Sequence, residues 1–148
     1  MSTYAVTSGK WYVEAKLVTK VTSHAILGIV STTQNITSSL KDNGLVAVEA
    51  SGRITGGGSN IETGLTAWSN GDIAAVAYDA DNGKVYYGLN NAFWAEDGGT
   101  DGNPSSGTNH STTLTTGVEY FFILAQYSNS YVSVTNFGQD SSFAGNNT

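Results

Sequence analysis

The segment from residue 72 to residue 89 constrains the fold more than any other part of this sequence. An apolar run at residues 72–79 is followed by Ala80-Asp81-Asn82-Gly83 and then by a run rich in Val and Tyr at residues 84–89. Asn-Gly supplies the positive φ angle that a tight reversal requires. We therefore predict that these residues form an antiparallel β-hairpin.

Period-two alternation predicts further strands, because successive side chains of a strand point to opposite faces. Residues 11–17 alternate in this way, with one apolar face made of Trp11, Val13, Ala15 and Leu17. Shorter apolar runs at residues 25–30 and 44–49 predict two more strands. The triplet at residues 56–58 is all glycine, and no Lys-Ser/Thr pair follows it, so we interpret it as a reversal between strands rather than a phosphate-binding loop.

Late in the chain, residues 119–126 and 131–136 predict two more strands, and the polar residues 127–130 between them predict a second hairpin. No stretch shows a long helical period, and one helical turn at residues 37–43 is the only helix expected. With 18 glycines, one proline and 148 residues, the chain predicts one all-β domain, residues 1–148, folded as an antiparallel sandwich or barrel.

Composition narrows the classes of function. Only 12% of residues are charged, the net charge is −6, and the six Lys and Arg residues are scattered, so no basic stripe for nucleic acid is present. There is no cysteine, and no segment approaches the roughly 18 apolar residues of a membrane span, so no membrane insertion is expected. His24 and His110 lack neighbours at zinc-ligand spacing, and no Gly-x-Ser-x-Gly elbow occurs. We therefore predict a protein that is not an enzyme and uses no cofactor.

The longest irregular region, between residues 89 and 119, holds the candidate binding residues. Trp94 stands beside Phe93 at the mouth of this loop, where it would stack on a sugar ring, anchor a protein partner or pack the base of the loop. Trp11 and Trp68 are predicted to lie in the core. Asp97, Asp101 and Asn103, with Glu96, place oxygen ligands on a glycine-rich stretch that would suit Ca²⁺. Their spacing fits no known calcium loop, so we favour a solvated loop and assign no metal.

Several stretches together resemble the SPRY (B30.2) domain family. Residues 8–14 are similar to its "GKWYWEV" strand, residues 71–79 to "GDVIGVALD", residues 83–91 to "NGKLWFSKNG", and residues 134–143 to the terminal "NFGQ...F" signature. The resemblance spans nearly the whole chain and implies a concanavalin A-like jelly-roll sandwich of two curved antiparallel sheets. The "LDP" segment of eukaryotic relatives is missing, and their peptide-binding loop residues have no counterparts here, so the resemblance implies no peptide ligand.

The stretch Asp101-Gly102-Asn103-Pro104 and residues 138–146 look like SPRY-type domains of bacteriophage and other viral particle proteins. This resemblance implies a virion structural or binding module, such as a tail-fibre, appendage or capsid-decoration domain. Its partners would be other virion proteins or a host-surface glycan or protein, and self-association is compatible with the role. A lectin-like carbohydrate-binding module and a peptide-binding SPRY adaptor stay open as alternatives. Such relatives continue past the position of Thr148, so a longer parent chain is expected.

Overall fold

Eleven β-strands make up the regular structure of the part of the chain that the computed structural model describes, residues 4–19, 25–33, 44–126 and 132–137. They are β1 (Lys10–Thr19), β2 (Ala25–Ser31), β3 (Leu45–Glu49), β4 (Arg53–Gly56), β5 (Ser59–Thr63), β6 (Ile73–Asp79), β7 (Lys84–Leu89), β8 (Ala92–Phe93), β9 (Thr112–Thr113), β10 (Tyr120–Gln126) and β11 (Val132–Asn136). Within these residues no helix is long and apolar enough to cross a membrane.

The strands form two antiparallel sheets. The six-stranded sheet has the order β11-β1-β6-β7-β8, with β9 also paired to β7, and the five-stranded sheet has the order β10-β2-β3-β4-β5. One face of each sheet packs against the other around a shared apolar core. This arrangement confirms the predicted antiparallel β-sandwich.

The hairpin predicted from residues 72–89 is confirmed. Strands β6 and β7 pair along their length, and the pair Asp79 and Lys84 closes the turn. Gly83 has a φ of 67°, and a Cβ there would come within 2.3 Å of the Leu114 carbonyl oxygen. The position therefore requires glycine for two reasons, backbone conformation and close approach. The reversal predicted at the glycine triplet is also confirmed, because β4 and β5 are joined there through Gly57 and Gly58.

The predicted second hairpin is wrong, although both of its strands exist. Strand β10 pairs with β2 in the five-stranded sheet, whereas β11 pairs with β1 in the six-stranded sheet. A polar connection is equally compatible with a tight turn and with a crossing from one sheet to the other. Strand β11 occupies the outer edge of β1, and β10 occupies the outer edge of β2. The two segments therefore belong to different sheets. Residues 127–131, and the helical turn predicted at residues 37–43, lie outside the described residues.

The core lies between the sheets and contains three of the largest buried side chains, Trp68, Tyr78 and Tyr87. Full burial of a large apolar side chain stabilises the fold by roughly 1.5–3 kcal/mol. The prediction for Trp68 is confirmed. The prediction for Trp11 is wrong, because this side chain is 45% exposed near the start of β1, where its Nε1 donates to the Ser8 carbonyl oxygen at 2.7 Å.

Two close contacts fix the spacing of the strands and sheets. In β2, a Cβ on Gly28 would come within 2.4 Å of the Val46 carbonyl oxygen and 2.5 Å of the Ala47 Cβ, so only glycine fits between β2 and β3. Between the sheets, the Tyr87 hydroxyl donates to the same Val46 oxygen at 2.5 Å. The Val46 carbonyl of β3 therefore limits how closely β2 can approach and also accepts the hydrogen bond that joins the two sheets.

The turn between β6 and β7 makes stability depend on pH through Asp79. The Asn82 side chain donates to Asp79 Oδ2 at 3.0 Å, the Asn82 backbone N–H donates to Oδ1 at 3.1 Å, and Lys10 Nζ lies 3.9 Å from Oδ2. These contacts, the Asn82 side chain first, hold the pKa of Asp79 below its usual value despite its burial.

We therefore expect this carboxylate to stabilise the fold above the unfolded-state pKa of about 4, and the stabilisation to disappear as the pH falls through the lower folded-state pKa. Urea unfolding of the wild type and of Asp79→Asn at pH 7 and pH 3 measures this contribution. The loss of unfolding free energy between the two pH values should be smaller in the variant. Equal losses in the two proteins would contradict the assignment.

Candidate functional site

The candidate site is the loop of residues 94–111, which connects β8 to β9. Both ends of this loop are tied to β7 by one buried serine. Ser111 Oγ donates to the Trp94 carbonyl oxygen at 2.6 Å and accepts from the Tyr87 backbone N–H at 2.9 Å. The Ser111 N–H donates to the Val85 carbonyl oxygen at 2.8 Å. The loop therefore starts and ends on a rigid strand, in the way that recognition loops are commonly held.

Trp94 is part of the core and is not a ligand platform. Its side chain is 3% exposed and packs in the cluster between the two sheets. Its backbone N–H donates to the Tyr87 carbonyl oxygen at 2.9 Å. Of the roles that the sequence left open, the structure shows packing at the base of the loop, because a side chain this buried can neither stack on a sugar ring nor anchor a protein partner. Phe93 is half-buried and lies against Gly88, its pairing partner in β7.

Asn103 builds the far end of the loop. Its Oδ1 accepts hydrogen bonds from the Ser105 N–H at 3.1 Å, the Ser105 hydroxyl at 2.7 Å and the Ser106 N–H at 3.0 Å. Its backbone also pairs with Thr108 in both directions, at 3.0 and 3.2 Å. This pattern is an Asx turn, in which the side chain takes the place of a backbone acceptor. The structure thus gives Asn103 a role in loop shape, and its binding role stays a prediction.

Asp97 and Asp101 lie close together, as a predicted common site requires. A Cβ placed on Gly99 would be 3.0 Å from Asp97 Oδ1 and 3.2 Å from Asp101 Oδ1, so the two carboxylates flank the same glycine. Asp97 Oδ1 accepts from the Gly99 N–H at 3.0 Å, and Asp101 Oδ2 accepts from Asn109 Nδ2 at 2.8 Å. Both carboxylates are exposed but are oriented by the loop itself.

A pocket of about 420 Å³ opens beside these carboxylates. It is lined by Ala95, Glu96, Asp97, Asp101, Asn109 and His110. Two of its polar residues, Asn109 and His110, were not predicted as site residues. Asn109 has a φ of 52°, and His110 packs edge-on against Tyr86, with ring centroids 6.4 Å apart. Nothing in the sequence distinguished them from other polar loop residues.

The pocket is electrostatically negative. Three of its lining residues carry carboxylates and none is a lysine or arginine. Glu62 of β5 adds a further carboxylate nearby, since a Cβ on Gly98 would lie 3.4 Å from Glu62 Cδ. The described residues contain no group of three or more His, Cys, Asp or Glu that could hold a metal ion. The surface therefore favours hydrogen-bond donors and cationic groups and repels anions.

Comparison with known proteins supports the fold and leaves the ligand open. No family model matches the sequence, and no curated protein matches it. Among solved structures, the chain is similar to the SPRY domain of human HERC1, with 15% sequence identity over 94% of this chain and 81% of that chain and a TM-score of 0.67. At this level of identity the similarity concerns the fold alone. The sandwich is therefore SPRY-like, as the sequence resemblance predicted.

Proposed function

We propose that this domain is a non-enzymatic binding module that recognises a partner surface through residues 94–111. The observation that carries the proposal is the combination of a fixed loop shape with exposed carboxylates. The buried Ser111 anchors the loop to β7 and Asn103 shapes its far end, while Asp97 and Asp101 face an open pocket. A loop that is already ordered loses little conformational entropy when it binds, so more of its contact energy contributes to affinity.

We further propose that the module belongs to a virus particle of the bacteriophage type, as a fibre, appendage or capsid-decoration domain. The support is the resemblance of residues 101–104 and 138–146 to viral SPRY-type domains. The low charged fraction of 12% suits a surface that contacts other subunits or host-surface molecules through hydroxyl and amide groups. In this role the domain would take part in assembly or in attachment to a host.

The chemistry of the pocket favours a partner rich in hydrogen-bond donors. Carboxylates accept from hydroxyl, ammonium and guanidinium groups, and charge-assisted hydrogen bonds of this kind are the stronger ones. A sugar ring would not stack on Trp94, which is buried. The Ser111 hydroxyl lies inside the protein and donates to a backbone carbonyl, so it is not available to a ligand in the pocket.

Substitution of Asp101 tests this proposal. We expect Asp101→Asn to weaken binding about tenfold or more, since a hydrogen bond to a charged group is worth roughly 1.5–3 kcal/mol. The measurement is the binding of labelled domain to arrays of glycans and of host-surface proteins. Glu119→Gln is the matched control, because it removes one exposed carboxylate outside the loop and should leave binding unchanged.

Two outcomes would count against the proposed function. The first is a ligand that Asp101→Asn and Glu119→Gln bind as tightly as the wild type does, since the loop would then not be the binding surface. The second is the release of sugar from any arrayed or soluble polysaccharide, because the domain would then be an enzyme.

A further inference from the structure

The turn between β6 and β7 contains an Asn-Gly dipeptide, Asn82-Gly83. An asparagine loses its side-chain amide most readily before a glycine, because glycine has no Cβ to hinder attack by its own backbone nitrogen. The fold requires this glycine, since Gly83 has a φ of 67° and no room for a Cβ beside the Leu114 carbonyl oxygen. Asn82 is exposed, so water reaches its side chain. The turn therefore keeps a reactive dipeptide at the surface.

Loss of the amide, or deamidation, proceeds through a cyclic imide. The Gly83 backbone nitrogen gives up its proton and attacks Asn82 Cγ, so a bond from this nitrogen to Cγ forms and the Cγ–Nδ2 bond breaks. The proton goes to Nδ2, which leaves as ammonia. Water then opens the imide at one of its two carbonyl carbons and leaves aspartate or isoaspartate at position 82. The overall step consumes water, releases ammonia and needs no oxidant or reductant.

One carboxylate holds the side chain that must move in this reaction. Asp79 Oδ2 accepts from Asn82 Nδ2 at 3.0 Å, and Asp79 Oδ1 accepts from the Asn82 backbone N–H at 3.1 Å. These contacts keep the Asn82 amide on the side of its own N–H, whereas attack requires Cγ to turn toward the Gly83 nitrogen, on the carbonyl side of the residue. That movement breaks a hydrogen bond to a charged group, which is the stronger kind.

The groups on both sides of the reacting bond are fixed by the fold. Asp79 is buried, and Lys10 Nζ lies 3.9 Å from its Oδ2. Its contacts, the Asn82 side chain first, lower the pKa of Asp79, so the carboxylate is charged at the neutral and alkaline pH values at which the imide forms most readily. The Gly83 carbonyl oxygen accepts from the Leu114 N–H at 2.7 Å, so the glycine is held as well.

Another Asn-Gly dipeptide, Asn70-Gly71, is held in a different way. The Gly71 N–H donates to the Leu17 carbonyl oxygen at 2.7 Å, so here the attacking nitrogen is itself in a hydrogen bond. Asn70 precedes β6, whereas Asp79 is the last residue of that strand. The two dipeptides therefore lie at opposite ends of β6, and a change at Asp79 should not alter the contacts of Gly71. Asn70 is an internal reference within the same molecule.

We propose that Asn82 is a latent deamidation site and that the Asp79 carboxylate protects it. While Asp79 holds Nδ2 the amide persists, and when this contact is lost the turn converts Asn82 to aspartate or isoaspartate. The product has a carboxylate oxygen where Nδ2 was the donor, and it faces the carboxylate of Asp79. Asp81 is the adjacent residue, and its Oδ1 accepts from the Gly9 N–H at 2.9 Å. Repulsion between neighbouring carboxylates therefore weakens the turn after deamidation.

Deamidation rates of the folded full chain, compared with those of the same chain in urea, test this proposal. Both samples are incubated at mildly alkaline pH, the first below its unfolding temperature. Chymotrypsin cleaves after Trp68, Tyr78 and Tyr86. These cuts put Asn70 and Asn82 in separate peptides, and mass spectrometry with fragmentation locates each acid. The rate at each asparagine is then followed over time.

We expect Asn82 of the folded wild type to deamidate about tenfold or more slowly than Asn82 in urea, since a hydrogen bond to a charged group must break first. Asp79→Asn should raise the rate at Asn82 of the folded protein about tenfold and leave Asn70 unchanged. Asp81→Asn is the matched control, because it removes the same charge from the same turn. The Asp81 carboxylate accepts from Gly9 and not from the Asn82 side chain, so this variant should keep the wild-type rate.

The proposal is overturned if Asn82 of the folded wild type reacts as fast as it does in urea, or if Asp79→Asn leaves its rate unchanged. Equal acceleration of Asn70 and Asn82 in Asp79→Asn also overturns it, because the variant would then only unfold more often. The effect of the product is measured with Asn82→Asp, which should have a lower urea midpoint than the wild type at neutral pH. An unchanged midpoint would contradict the expected repulsion. None of these measurements involves residues 94–111, so they are independent of binding.

Discussion

Replacing Trp94 by alanine is expected to lower the free energy of unfolding by about 3–5 kcal/mol, the range observed for large aromatic residues removed from well-packed cores. Trp94 is 3% exposed and contacts the core between the two sheets. Domains of ordinary stability unfold at a cost of about 5–15 kcal/mol, so the variant loses a large part of its stability. Thermal and urea unfolding, followed by circular dichroism, measure the change.

Phe93→Ala is the control for this prediction. Phe93 is the neighbouring aromatic residue, but it is only half-buried, and its removal should cost clearly less. A Trp94→Ala variant that keeps wild-type stability while losing a ligand would contradict the structure and restore the surface role. Conversely, loss of binding in a destabilised Trp94→Ala protein is no evidence for contact with a ligand. Asp101→Asn is therefore the better probe of the binding loop.

The reason for the initial ambiguity about Trp94 is physical. The residue stands between a short strand and a polar loop, and a tryptophan in that position fits both a core and an exposed platform. Its burial is decided by the opposite sheet and by Ser111, which anchors the loop 17 residues later. Ser111 itself lies among threonines and serines, and nothing in its local sequence marks it as fully buried.

The two predicted hairpins show which parts of the fold the sequence determines. In the hairpin of β6 and β7 the pairing partners are close in sequence, and Gly83 supplies the required turn geometry. The pairing of β11 depends on contacts between residues far apart, such as Asn136 and Glu14, which are 122 positions apart. Alternation predicts that a strand exists, but it contains no information about which distant edge the strand will join.

The candidate site was predicted in part for a similar reason. A glycine-rich acidic stretch indicates an exposed loop, so Asp97 and Asp101 could be chosen from composition. The hydrogen bonds that Asn103 Oδ1 accepts from Ser105 and Ser106 were not predicted, because the same amide oxygen suits a ligand or a neighbouring N–H. His110 enters the pocket through its packing on Tyr86, a residue of a different element.

Two adjacent tyrosines of β7 provide the second large prediction, because the same substitution should have different effects at the two positions. Tyr87 points into the core, and its hydroxyl donates to the Val46 carbonyl oxygen of the other sheet at 2.5 Å. Tyr86 is equally buried, but its hydroxyl has no hydrogen-bond partner within the described structure. Burial raises the pKa of both phenols, and each hydroxyl stays neutral in the folded protein at ordinary pH.

Tyr87→Phe should lower the free energy of unfolding by about 1–3 kcal/mol, because it leaves the contact between the sheets without its hydrogen bond. Tyr86→Phe should be neutral or stabilising, since it removes a buried polar group that gains nothing from the fold. The two variants have the same composition, so a difference in urea midpoint reports hydrogen bonding alone. A Tyr86→Phe protein as unstable as Tyr87→Phe would mean that the Tyr86 hydroxyl has a partner, and the packing of His110 over it would then have to be different.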